Sequence, residues 1–246
     1  MRIDLYLFES GKAKSRTEAK RLILNGDVKV NGIVVNKPSA EFFASDSVEV
    51  DSSIQKFVSR GGFKLEAALD CFDVITEGRL AIDIGASTGG FTDCLLKRGV
   101  SRVITVDSGS MQLSDSIRED SRVLSYENYN ARYLKASDFP YMPQLAVMDV
   151  SFISATYIIP SLYEILSDNS DFICLVKPQF EVGRENIDKG GIVKSEKKRK
   201  MALCKVVDFA RSVGFLHIQD IESPIRGGDG NIEYLSHFKK LEWRKI

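Results

Sequence analysis

The sequence predicts an α/β chain: a mostly parallel sheet with helices on both faces, preceded by a small α+β module. Three observations predict it. First, Leu80 to Phe91 reads LAIDIGASTGGF, an apolar run, then Asp83, then a turn holding Gly85, Gly89 and Gly90, then helical spacing at Phe91, Cys94, Leu95 and Leu96. Strand, tight glycine turn and helix start, in that order, place a nucleotide-like ligand at the edge of a parallel sheet. Second, apolar runs of strand length alternate with helical patterns from Leu80 onward, which argues for crossover connections and a covered sheet. Third, residues 1–55 break that alternation with two short helical patterns and a hairpin signal.

Composition agrees with a globular fold. At 246 residues, with 43% hydrophobic and 28% charged residues, the chain has length and apolar content for one or two cored domains. The formal net charge is zero, so any polyanion site must come from local clustering. Cys71, Cys94, Cys174 and Cys204 are widely spaced, with no C-x-x-C pair. They read as reduced core residues of a cytoplasmic protein, with no metal site or disulfide implied. The start, MRIDLYLFESGK, contains acids and lacks a continuous apolar core, so it does not read as a signal peptide. The longest apolar segment, 153–166, is interrupted by Pro160 and Glu164 and falls short of the ~18 residues of a membrane span.

The N-terminal module comes first. Ile3, Leu5, Leu7 and Phe8 form a helical pattern that Gly11 ends. Ser15-Arg16-Thr17-Glu18 is a capping box, and Ala19, Leu22 and Ile23 share one face of the helix behind it, which Asn25-Gly26 stops. Val28 and Val30, an Asn31-Gly32 turn and Ile33 to Val35 read as a hairpin, with a further strand at 47–50. Lys12, Lys14, Arg16, Lys20 and Arg21 crowd the second helix against one acid, Glu18. A solvated helix face is the plainer reading; a phosphate-binding face is the other. Through Arg2-Ile3-Asp4, Ser15-Arg16, Ala19, Leu22-Ile23, Gly26, Val28, Val30-Asn31-Gly32 and Pro38, the module resembles the RNA-binding domain named after ribosomal protein S-four, which favours RNA.

Residues 56–60 read as a linker and 61–246 as the second domain. Lys56, Arg60 and Lys64 have no acid among them and form a second positive stretch, Arg60 being a further RNA contact. Strands are predicted at 80–84, 102–106, 122–125, 144–149, 171–176, 215–220 and 232–238, and helices at 89–98, 110–118, 154–167 and 196–213. Residues 184–200 read as a polar loop with a basic helix start, and 227–230 as a mobile loop or one that closes over substrate.

The glycine turn narrows the ligand. A dinucleotide fingerprint is G-x-G-x-x-G; here the spacing is G-x-x-x-G-G, and Ser87 takes the middle glycine's place. Asp83 stands two residues before the first glycine, and Asp107 ends the next apolar run, where an acid accepts from ribose hydroxyls. Acids flanking the turn suit a nucleoside that carries positive charge and no phosphate, such as S-adenosylmethionine, over a dinucleotide. Asp83, Asp107, Asp149 and Lys177 all fall at strand exits, where ligands of such sheets lie.

Five stretches, SRGGFKL (59–65), DIGASTGGFTDCLL (83–96), DVSFIS (149–154), LVKPQFEVG (175–183) and GNIEY (230–234), closely resemble the TlyA family. Its members are called hemolysins and are similar to ribosomal RNA 2′-O-methyltransferases of the FtsJ type. The resemblance implies a Rossmann-like class I methyltransferase fold with a seven-stranded sheet. It implies a catalytic Lys-Asp-Lys-Glu tetrad on Lys64, Asp149, Lys177 and Glu233, with Lys177 as base toward a ribose hydroxyl. It implies S-adenosylmethionine contacts from Gly85, Ala86, Ser87, Gly89, Gly90, Asp107, Ser108, Asn130 and Asp149. The implied substrate is a cytidine of ribosomal RNA or a ribosomal subunit, the compactness of the chain pointing to the large subunit. Some members carry Arg and Trp in the linker; the matching positions here are Gln55 and Phe57. Two other readings stand beside this one, a membrane-active hemolysin and a non-catalytic RNA-binding assembly factor. The first lacks an amphipathic basic stripe, and the second leaves the intact tetrad without a use.

Overall fold

The glycine turn sits where the alternation of strands and helices requires it. In a computed structural model describing residues 1–13, 15–24, 26–50, 56–228 and 230–242, the chain divides into two units, Met1–Arg60 and Gly61–Ile246. No described helix is long and apolar enough to cross a membrane.

In the first unit, α1 (Ile3–Glu9) and α2 (Arg16–Leu24) precede β1 (Val28–Val30), β2 (Ile33–Val34) and β3 (Val48–Val50), a sheet of order β2-β1-β3. Ile3, Leu7, Ala13, Ala19, Leu22, Ile23 and Val28 form its core. The Glu18 amide donates to Ser15 Oγ (3.1 Å), the predicted cap. Asn31 (φ 51°) and Gly32 (φ 77°) turn the hairpin, both left-handed as a primed two-residue turn demands. Asp4 is fully buried, and Arg2 donates to both its oxygens at 3.0 Å. That hydrogen bond leads the interactions that hold the Asp4 carboxyl below its ordinary range.

In the second unit, α3 (Gly61–Phe72) leads into β4 (Leu80–Ile84), α4 (Gly90–Lys97), β5 (Arg102–Val106), α5 (Asp115–Arg118) and β6 (Val123–Tyr126). Then follow β7 (Leu145–Met148), α6 (Ile159–Ile165), β8 (Ser170–Val176), α7 (Glu196–Val213), β9 (Leu216–Glu222) and β10 (Tyr234–Lys240). The seven strands lie in the order β6-β5-β4-β7-β8-β10-β9, parallel except for β10. This is the predicted mostly parallel α/β fold. The chain runs outward from β4 through β5 to β6, then returns to β7 on the other side. That reversal opens a crevice at the carboxyl ends of β4, β5 and β7.

Two predicted helices are shorter than their patterns. The 110–118 helix survives only as α5, because Met111 takes a left-handed backbone (φ 52°) that no right-handed helix admits, in a loop held by two carboxylates. The Gly109 amide donates to Asp107 Oδ1 (2.7 Å) and the Met111 amide to Glu127 Oε2 (2.8 Å). The 154–167 helix is a 3-10 turn, Ala155–Tyr157, followed by α6, with Pro160 in the first turn, where its missing N–H costs nothing. Cys94 and Cys174 are buried as expected, but Cys71 and Cys204 are exposed, since α3 and α7 turn those positions outward.

At the other end of the sheet, Asp171 binds β8 to β10 and to the start of β4. His237 Nε2 lies 2.7 Å from its Oδ1 and Arg79 Nη1 2.5 Å from its Oδ2. Burial alone would raise its pKa, yet the bonds from His237 and Arg79 outweigh burial and hold it below the ordinary value. Its contribution to stability is therefore present above the unfolded carboxylate range and lost as pH falls through the lowered value. Asp171→Ala leaves Arg79 and His237 without their shared acceptor, with an expected cost of about 2–4 kcal/mol. Denaturant unfolding at neutral pH checks this; a loss below ~1 kcal/mol would make the cluster incidental.

Candidate active site

Gly85 ends β4 with φ +82°, and a Cβ there would fall on the carbonyl oxygen of Asp149. Only glycine lets the β4 exit run against the β7 exit in that conformation. The Asp149 amide donates to the Ile84 carbonyl (2.9 Å) and the Gly85 amide to Val106 (2.8 Å), so three strand ends are laced together. Asp107 ties the walls above them: Oδ2 accepts from the Ser87 amide (2.8 Å) and Oδ1 from the Gly109 amide (2.7 Å).

Between these loops lies a cleft of about 370 Å³, within the range of small-molecule sites. Gly85, Ser87, Asp107, Ser108, Asn130 and Asp149, each named from the sequence as a cofactor contact, line it beside apolar Ile84, Val106, Ala131 and Ile158. Two carboxylates face the cleft, and among the described residues no Lys or Arg lines it. A pyrophosphate would meet repulsion there, whereas a cationic nucleoside finds apolar surface, hydroxyl and amide groups, and opposite charge.

Four predicted contacts stand outside this wall. Asp83 is fully buried beneath the turn and accepts from the Thr92 hydroxyl (2.6 Å), so a direct ligand contact is not what it makes. Burial pushes its carboxyl up to about 7, against the Thr92 bond and with help from the Asp149 and Asp107 charges. The Gly89 α-carbon faces Leu113 and Ile117, which a Cβ would meet at 3.0–3.2 Å. The Ala86 carbonyl accepts from the Gly89 amide (2.7 Å), and Gly90 begins α4. These residues shape the turn from behind.

Beside the cleft, the tetrad residues come as two ion pairs. Lys177 Nζ lies 2.6 Å from Asp149 Oδ1 and donates to Ser151 Oγ at 2.8 Å. Lys64 Nζ donates to Glu233 Oε2 at 2.6 Å, and both side chains are buried. Sheet register explains the grouping. Met148 pairs with Cys174 in β7–β8, and Val176 pairs with Tyr234 in β8–β10. Asp149, Lys177 and Glu233 are thus the next residues beyond three neighbouring strands, while Lys64 arrives from the first turn of α3. Lys64 therefore does not belong to an exposed positive stretch with Lys56 and Arg60, because Glu233 draws it inward.

Several neighbours carried no separate signal in the sequence. Phe152, in the DVSFIS stretch, is 92% exposed on the cleft wall with φ +63°, its ring 5.2 Å from that of Phe180. A bulky side chain in that backbone region is a true outlier. Gln112 Oε1 accepts from the Ser87 hydroxyl (3.3 Å). The 227–230 stretch is stapled: the Gly227 amide donates to the Asn231 carbonyl (2.9 Å) and the Gly230 amide to Gly227 (2.8 Å). Gly227 backs Glu233, with no room for a Cβ beside Oε1; Asp229 lies outside the described residues.

Of the predicted RNA contacts, Lys12, Arg16 and Lys20 are exposed. Arg16 also reaches Asp4 at 3.7 Å, and half-buried Arg60 reaches Asp27 at 3.7 Å, so both share their charge with buried acids. Lys14, the Arg21 side chain and Gln55 lie outside what is described, and Phe57 is buried.

The chain matches the FtsJ-like methyltransferase family over residues 57–240 and the S4 domain family over residues 1–43. It is 42% identical to Hemolysin A of Brachyspira hyodysenteriae, over 97% of this chain and 99% of that protein. It is 38% identical to the 16S/23S rRNA (cytidine-2′-O)-methyltransferase TlyA of Mycobacterium tuberculosis, over 95% of this chain and 87% of that one. A solved hemolysin structure from Streptococcus thermophilus superposes with a TM-score of 0.78 at 42% identity, covering 98% of this chain and 89% of that chain.

Asp83 gives the site a pH signature. Its folded pKa stands above the unfolded value, so its contribution to stability is complete below the unfolded range, about 4, and lost as pH rises toward about 7. Thermal unfolding between pH 4 and 8 is expected to show this loss in the wild type, and Asp83→Asn to flatten it. An identical slope in both proteins would show that Asp83 does not titrate there.

Proposed function

The chain belongs to the TlyA (hemolysin A) family of FtsJ-like methyltransferases, and we propose that it methylates the 2′-hydroxyl of a cytidine ribose in ribosomal RNA. The observation that carries this reading is the acid-walled cleft opening beside the Lys177–Asp149 pair. S-adenosylmethionine fits that wall in charge, and when bound it supplies a methyl group activated by its sulfonium. Gly85, Ser87, Asp107, Ser108, Asn130 and Asp149 are the residues that would hold it.

Lys177 is the base. A ribose hydroxyl is a weak acid, so its proton needs an acceptor close to the oxygen as the new bond forms. Asp149 orients the Lys177 amine, and Ser151 offers it a hydrogen-bond acceptor. Lys64, steered by Glu233, supplies positive charge toward the developing alkoxide, an effect that grows where water is excluded. Rate then comes largely from holding the two reactants in line.

Phe152 is the nucleobase platform. Its exposed ring at the cleft edge suits stacking with a base turned out of its helix. The basic residues of the first unit, Lys12, Lys14, Arg16, Lys20, Arg21 and Arg60, serve as phosphate contacts for the rest of the RNA. Large-subunit RNA is the first substrate to try.

Tritiated-methyl transfer to ribosomal subunits from a strain lacking this methyltransferase, followed by mapping of ribose methylation, tests the reading. Lys177→Ala is expected to lose activity by at least about 100-fold. Lys177→Arg should be equally inactive, because a guanidinium keeps the charge yet does not give up its proton. Substantial activity in the arginine variant would assign Lys177 an electrostatic role instead. Phe152→Ala is expected to lower kcat/KM for RNA by roughly 5- to 150-fold, the equivalent of ~1–3 kcal/mol of stacking, a larger effect than any on cofactor affinity. An RNA dependence identical to wild type would remove the platform.

A further inference from the structure

The segments leaving β7 and β8 are bridged three times. Nearest the sheet is the Asp149–Lys177 pair at 2.6 Å. Next come the Phe152 and Phe180 rings, 5.2 Å between centroids. Farthest out, the Ser154 hydroxyl donates to Glu181 Oε2 (2.6 Å) and the Ala155 amide to Glu181 Oε1 (2.8 Å). The Glu181 side chain is only 2% exposed. Lys205, on α7, donates to both Oε2 (3.1 Å) and the Glu181 carbonyl (3.0 Å). That helix is seated in the domain through Ala202, Val206, Val207 and Ala210, so Glu181 is moored to a rigid element.

We infer that Glu181 is a positioning residue: it clamps the far end of the 149–155 segment and so holds Phe152 and Ser151 where Lys177 can use them. The inference rests on the reaction proposed above. A buried carboxylate is costly unless its donors are fixed, and every donor here belongs either to that segment or to α7. Phe152 supplies the second reason. Its left-handed backbone (φ 63°) is strained and persists only where the surroundings over-determine it. One end of the segment is fixed by the Asp149 amide bond to Ile84 (2.9 Å), the other by Glu181. Without the outer tie, Phe152 relaxes to negative φ, and its ring leaves the cleft edge. Glu181 does not line the cleft itself, so cofactor binding is not its task.

Glu181→Ala is compared with wild type in three measurements: methyl transfer to ribosomal subunits, calorimetry with S-adenosylmethionine, and hydrogen exchange by peptide mass spectrometry. The expected result is a kcat lowered by about 10- to 100-fold, the scale of an ångström-level misplacement. Cofactor affinity should stay within about threefold and exchange protection should fall in residues 150–156, while strands 80–84 and 102–106 keep theirs. Glu181→Gln, whose amide oxygen still accepts from Ala155, should recover most of the rate. An unchanged kcat and unchanged protection would overturn the inference, and so would a parallel fall in kcat, cofactor affinity and protection across the sheet. If Glu181→Ala does not fold, Ser154→Ala breaks the same bridge from the opposite side and is judged by the same criteria. A wild type that transfers no methyl group would defeat the proposed reaction alone; the exchange data then decide, local loss supporting the clamp and no loss refuting it.

Discussion

The approach of the Gly85 α-carbon to the Asp149 carbonyl is the constraint on which the rest of the site depends. It joins two features that belong to different strands, the glycine turn after β4 and the acid after β7. Because that contact is backbone against backbone, neither loop can shift without the other. The Asp149 carboxylate is thereby committed to a fixed height above the sheet, and Lys177 on the next strand comes to meet it at 2.6 Å. Packed interiors behave this way in general: they move between discrete arrangements and do not stretch.

Electrostatics are divided just as sharply. The cleft wall is acidic, while two ammonium groups stand beside it, each matched by one carboxylate. A chain with zero formal net charge therefore holds strongly polarised neighbourhoods, and local pairing sets what each of them attracts. Of these pairs, Lys64–Glu233 is the more deeply buried, and removing one partner of such a pair leaves an uncompensated charge. The same reasoning covers Asp4 with Arg2 in the first unit and Asp171 with Arg79 and His237 in the second.

The fold was legible because its signals are periodic and local. The LAIDIGASTGGF stretch, the alternation after Leu80 and the Asn31-Gly32 turn each name an element with no knowledge of the others. Helix starts were less legible, since the left-handed backbone at Met111 breaks a pattern that a propensity argument reads as helix from residue 110. At the site, strand exits pointed to Asp107, Asp149 and Lys177, and the family motifs pointed to Lys64 and Glu233. Their convergence was legible only through those motifs, because in the fold it depends on the antiparallel entry of β10 beside β8, a long-range fact. The burial of Asp83 was hidden for the same reason: an acid before a glycine turn looks alike whether it faces a ligand or a core. Cys71 and Cys204 misled because an apolar neighbourhood in sequence does not say which side of a helix is inside.

Phe152 has one consequence for how such a protein can change over generations. Its backbone geometry suits glycine or asparagine better than any large residue. Heat tolerance, pursued by itself, would favour those smaller residues at this position. On the reading proposed for its exposed ring, the phenylalanine answers a competing demand, and a lineage freed from that demand would have reason to replace it.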